Sequence, residues 1–217
     1  MTGINDMEAE RATRWAKAEK FAQGYADHGM GQALTIYYTR FFPLIALAAI
    51  GIAAAVAAIT AQDRPVDWWF AAWLGSQLLA VSSAIGGITY NVKRLKPRVT
   101  LGSTLSIVMP LEKEEQQALT RGINGKESVP DEHLTIARSQ AIQSRKTAAT
   151  WLLVAPAFTY VFGSAFASSS TFFSVGWYYL VMLALMIVIL VILIRSFRRQ
   201  GQFLIATERP PESITPV

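Results

Sequence analysis

The chain contains no cysteine, which excludes disulfides, thiolate nucleophiles, cysteine zinc sites, S-palmitoylation and a lipoprotein anchor. Histidine is almost as scarce, with only His28 and His133 present. His28 follows Asp27, and His133 follows Asp131 and Glu132. A metal site needs three or four converging ligands, and neighbours on a helix point in different directions. Both histidines are therefore expected to be solvated charges near helix starts, with no metal and no cofactor. The N-terminal stretch lacks the apolar core of a secretory signal and carries Glu8, Glu10, Arg11, Arg14, Lys17, Glu19 and Lys20 instead. The chain is expected to enter the membrane through its first hydrophobic helix and to keep that helix.

Charge is missing from three long stretches, 41–62, 68–92 and 147–194, none of which holds Asp, Glu, Lys or Arg. A span needs about 20 apolar residues to cross roughly 30 Å of hydrocarbon. The third stretch is too long for one span and divides at the polar turn 167–174. Spans are thus predicted near 41–61, 68–91, 148–167 and 174–195. Hydrophobic residues make up 52% of the chain, and their concentration in these runs, rather than a periodic spread, sets the class: an all-α integral membrane protein.

The 20 basic residues are present in force but unevenly placed. Arg64 alone lies between the first two spans, and none lies between the last two; the other 19 precede the first span, fill the middle loop or follow the last span. Lys and Arg are retained on the cytoplasmic side, so both ends and the middle loop are expected there. A three-span or five-span arrangement would split these clusters. Trp68, Trp69 and Trp73, then Trp177, Tyr178 and Tyr179, begin the second and fourth spans as interfacial anchors; Tyr37, Tyr38, Phe41 and Phe42 do the same at the inner face. The net charge of +5 is accounted for by these flanks and by anionic lipid. No groove-reading motif accompanies it, so no nucleic acid is expected.

The resulting division is a cytoplasmic N-terminal amphipathic helix over 1–36, a transmembrane hairpin over 37–96, a cytoplasmic loop with two short helices over 97–146, a second transmembrane hairpin over 147–195, and a cytoplasmic tail over 196–217 that is disordered at its end. Small residues at four-residue spacing let helices approach closely in lipid. Ala49, Ala53 and Ala57 form such a stripe on the first span, matched by Gly75, Ser82, Ser83, Gly86 and Gly87 on the second. The stripe packs within the chain or, alternatively, forms a homodimer seam. Pro156 removes a backbone donor from the third span and should kink it. The fourth span is nearly all large and aliphatic and is expected to face lipid.

Outside the spans, residues 5–26 place Met7, Trp15, Ala18, Phe21, Ala22 and Tyr25 on one helical face, with Arg11 and Arg14 intruding on it. This helix either lies on the membrane surface or docks on the protein's own loop. Residues 99–109 alternate in a strand period yet also fit a helical face. A lone strand there would need a second copy or the tail as its partner, so an irregular, interface-lying segment is expected. Pro110 with Glu112, Glu114 and Glu115 opens one loop helix, which Gly122 or Gly125 ends. Pro130, Asp131 and Glu132 open a second, which presents Leu134, Ala137, Ala141 and Ile142 and can run through Lys146 into the third span.

Motifs for chemistry fail. A phosphate loop is excluded at Gly125-Lys126, where Thr120 stands in place of the first glycine and Glu127 in place of the hydroxyl; Asn124-Gly125 is a turn. No ionisable group lies deep in a span, unlike most coupled transporters. The plan of two hydrophobic hairpins with a cytoplasmic insert resembles that of many small bacterial membrane proteins without carrying a motif that transfers function.

The leading expectation is a non-enzymatic accessory or scaffold protein of the plasma membrane. It would bind a membrane-protein partner, or another copy of itself, through its cytoplasmic segments, with Trp15, Phe21 and Leu134 as binding residues. The alternative is a small lipid or solute transporter or channel subunit. That alternative is motivated by Gln77 in the polar stripe of the second span and by the kink at Pro156. A lipid-modifying enzyme using Asp63, Arg64 and Asp67 is the third reading.

Overall fold

The computed structural model describes residues 2–61, 64–102, 106–168 and 176–208. It is almost wholly helical, with α1 Thr2–Ala22, α2 Met30–Ile36, α3 Phe42–Ala61, α4 Trp68–Tyr90, α5 Lys113–Ile123, α6 Leu134–Ser168 and α7 Trp177–Ala206. A π-helical segment, Tyr37–Phe41, joins α2 to α3, and a second, Asn91–Leu95, extends α4. Four stretches are long and apolar enough to cross a membrane: Met30–Ala61, Trp68–Arg98, Asp131–Ala165 and Trp177–Ala206. The first two contain the predicted spans 41–61 and 68–91, and the last two overlap 148–167 and 174–195 over most of their length; each begins earlier or ends later than its apolar run. Helix α6 does continue unbroken from the loop through Lys146. Helix α7 passes Arg195, Arg198 and Arg199 and ends at Ala206.

The chain forms two compact units. The first comprises Met1–His28, Val99–Thr147 and Ser196–Val217; the second comprises Gly29–Arg98 and Ala148–Arg195.

In the second unit the small-residue stripe of α3 faces α4. Ala49, Ala53 and Ala57 are buried within the chain, and the β-carbon of Ala53 lies 3.3 Å from where one on Gly75 would stand. The stripe is used inside the monomer. Helices α4 and α6 meet still more closely at Gly87, where an added β-carbon would lie 2.3 Å from the Leu153 carbonyl oxygen. Only a glycine lets the two backbones approach so nearly. The Tyr90 hydroxyl donates to the Ala33 carbonyl at 2.8 Å, tying α4 to α2. Helix α6 runs through Pro156 without ending.

The first unit is held by different means. Gly24 turns the chain after α1 with φ 80°. There Ala26–Asp27 pairs antiparallel with Val99–Thr100, Ala26 opposite Thr100 and Asp27 opposite Val99. The strand tendency after Pro97 thus finds a partner in this chain, just beyond α1, rather than in a second copy or the tail. Only two residues pair. Residues 103–105 are not among those described, and the backbone turns at 107–110, so the extended pattern does not continue to Met109.

Helix α5 begins after Glu112, later than Pro110, which lies in that turn. It ends before Gly125, whose φ of 71° is the left-handed conformation that glycine tolerates. Gly29 has φ 96° and marks the start of α2, whereas Gly31 lies inside that helix.

Candidate functional site

The site assembled from the predicted binding residues lies in the first unit, where α1 docks on the loop helices. Of the two alternatives for α1, the structure shows docking on the chain itself. Glu115 is the centre. It stands in the first turn of α5, and its Oε2 accepts the backbone N–H of Glu112 at 2.9 Å, the return half of a capping box. Its Oε1 accepts the indole N–H of Trp15 at 3.0 Å. Arg11 approaches the same oxygen at 3.2 Å, while Arg14 lies 3.6 Å from Oε2 and 3.1 Å from Glu112. These two arginines, which break the apolar face of α1 in the sequence, face the acids of α5.

Glu115 is only 8% exposed. Burial pushes its carboxyl upward, but the Glu112 amide, the Trp15 indole and the Arg14 guanidinium together outweigh it and hold it below the usual carboxylate range. A buried charge is tolerated because every one of these partners stabilises the ionised form.

Trp15 makes a second contact. Its ring stacks on His133, with centroids 3.6 Å apart and planes 10° from parallel. His133 is thus not the fully solvated charge expected; it forms part of the docking surface, with Glu132 at 3.4 Å. His28 is exposed, and its Nε2 lies 3.2 Å from the Thr100 hydroxyl. Among the described residues, no three His, Asp or Glu side chains gather as a metal site would require.

Phe21 and Leu134 are each half-buried in this unit, whereas Met7 is 65% exposed and takes no part in the buried face of α1. Deeper in the interface Ala18 and Ala22 are fully buried, as are Ile136, Ala137 and Ala141 of α6. Ser139 donates to the Ala22 carbonyl at 2.8 Å. The third segment joins through α6 as well. Arg138 donates to the Thr207 carbonyl, and the Arg145 guanidinium lies 4.5 Å from the centre of the Phe197 ring while pairing with Asp27. Sequence reasoning missed Glu115, Arg138 and Arg145 as organising groups. The available signal was the pair of arginines on the apolar face of α1.

Gln77 lies elsewhere, in the second unit. Its amide donates to the Ser164 hydroxyl at 2.6 Å, a bond that joins α4 to α6. Asp67 caps α4, its Oδ1 accepting the amides of Trp69 and Phe70. Asp63, its proposed companion, lies outside the described residues.

Comparison with protein-family models, with curated proteins and with solved structures finds no match, so function has to be argued from this geometry.

Proposed function

We propose that the chain is a four-span protein of the plasma membrane with both ends and the middle loop in the cytoplasm. It acts without chemistry of its own, as an accessory or scaffold subunit that binds a partner through the body these three segments form. One observation carries this reading: the N-terminal, middle and C-terminal segments are knitted together by Trp15–Glu115, Ser139–Ala22 and Arg138–Thr207. Segments in contact occupy one side of a bilayer. Their contact supports an even number of spans between them, in keeping with the placement of the basic residues.

The body is modest in size, and it has no gathered catalytic set among the described residues. What it offers is a defined, charged surface on a membrane anchor. The two features that motivated transport are both occupied inside the second unit: Gln77 bonds Ser164, and the helix at Pro156 is braced by Tyr38, whose hydroxyl donates to Leu152.

Purification of the full chain in a mild detergent tests the proposal. A second protein should be recovered in fixed ratio, and disrupting the docking of α1 with Glu115→Gln should lower its yield. Recovery of the chain alone would contradict the proposal.

A further inference from the structure

The second unit holds a cavity of about 490 Å³ between α4 and the later part of α6. Trp69, Phe70 and Trp73 line one side, and Tyr160 lines the other, with Ser164 beside it and Asp67 at one end. An interfacial belt accounts for aromatic rings at the end of a span. It does not account for rings from one helix facing a tyrosine from another across a concave volume with a carboxylate at its rim. Phe70 and Trp73 lie against each other in this lining, with centroids 6.3 Å apart and planes inclined by 29°. A cation held within about 6 Å of such rings is attracted by their negative faces, and quaternary ammonium groups are recognised in this way.

Asp67 supplies the opposite charge. Both of its capping bonds go to Oδ1, and among the described residues no cation pairs with it. Ala72, Ser76, Thr159 and Gly163 complete the wall, and a second, largely apolar hollow of about 350 Å³, lined by Ile50, Ala53, Ala71 and Leu79, shares Ala72, Ser76 and Tyr160 with the first. The volume therefore offers an anionic, aromatic mouth and an apolar continuation between spans.

We infer that this cavity binds an amphiphile whose head carries an ammonium group, the head lying among Trp69, Trp73 and Tyr160 near Asp67 and the hydrocarbon chain running along α4 toward Leu79. The head is that of a membrane lipid or of a free single-chain compound; the chemistry is the same. The site lies wholly in the second unit and stands whether or not the other unit binds a partner.

The full chain in dodecyl maltoside micelles, which contain no ammonium group, provides the test, with tryptophan emission as the readout. Decyltrimethylammonium should bind saturably and decanol at least about tenfold more weakly. Asp67→Asn keeps a good helix cap and should weaken the cation by about tenfold while leaving decanol unchanged. Tyr160→Leu keeps the apolar wall and both tryptophans, and should also weaken the cation selectively; thermal unfolding of each variant verifies that it is folded. Displacement of the bound probe by a phosphatidylcholine but not by the matching diacylglycerol assigns the site to lipid, whereas failure of both to displace it assigns the site to a free amphiphile. Equal binding of decanol and decyltrimethylammonium, or unchanged cation binding in a folded Asp67→Asn variant, would overturn the inference.

Discussion

The Tyr38 hydroxyl donates to the Leu152 carbonyl, the group that Pro156, four residues on, leaves without its helical partner. Proline has no backbone N–H, and in a membrane an unpaired carbonyl has no water to turn to. The two residues lie 114 positions apart in the chain. Their pairing explains how α6 carries a proline through an apolar span without ending there.

This pairing predicts a specific coupling. Tyr38→Phe should destabilise the protein by about 0.5–1.5 kcal/mol, the usual net worth of such a bond. In a Pro156→Ala background residue 156 regains its N–H, so the same change should cost markedly less. Thermal unfolding of the four proteins in detergent gives the coupling directly. Equal losses in both backgrounds would show that Tyr38 does not serve the carbonyl.

Glycines in the spans should differ sharply in tolerance. A β-carbon on Gly87 would meet the Leu153 carbonyl oxygen at 2.3 Å, whereas one on Gly51 would meet nothing within 4 Å. Gly87→Ala should therefore force α4 and α6 apart and lower the melting temperature, while Gly51→Ala should leave it unchanged or raise it slightly. By the same geometry, the buried stripe of α3 leaves Ala53→Cys unable to form an intermolecular disulfide. A strong adduct between two copies would contradict packing within the chain.

The apolar runs made four helices long and apolar enough to cross a membrane legible, because apolar character is carried by every residue of such a run. Helix ends were less legible. Arg195, Arg198 and Arg199 mark where apolar character stops, but α7 continues past them as a polar helix, since a charge that ends a membrane run need not end hydrogen bonding. The pairing of Val99–Thr100 was hidden because its partner, Ala26–Asp27, is two residues long and has no period of its own. The docking of α1 was half visible. Arg11 and Arg14 violated its apolar face, and such a violation signals an acidic partner, but nothing local named Glu115 as that partner.

Removing the charge of Glu115 should loosen α1. Glu115→Gln leaves Arg11 and Arg14 beside a neutral side chain, at a cost of about 1–3 kcal/mol. Trp15→Phe, which keeps an aromatic ring against His133 but loses the indole donor, should cost less than Trp15→Ala. Limited proteolysis reports this order as faster cleavage near Gly24. Equal cleavage in all three variants would count against docking through Glu115.

Acid should undo the same contact. The carboxyl of Glu115 is held below its ordinary range, so in the unfolded chain it takes up a proton at higher pH than in the folded one. Its stabilising contribution is complete above the unfolded value and disappears as the pH falls through the lowered folded value. The melting temperatures of the native chain and Glu115→Gln should therefore differ near neutral pH and converge in acid. A difference that stays constant down to pH 3 would contradict this assignment.

One body, built from three distant segments, is proposed to stand on the cytoplasmic face. Because the chain has no cysteine, single cysteines can be placed at Lys20, Lys126, Glu208 and Arg64, all exposed, and probed with a membrane-impermeant maleimide. In intact cells only the Arg64→Cys protein should label, and the other three should label once the membrane is opened. Labelling of any of those three in intact cells, with Arg64→Cys protected or not, would contradict the account.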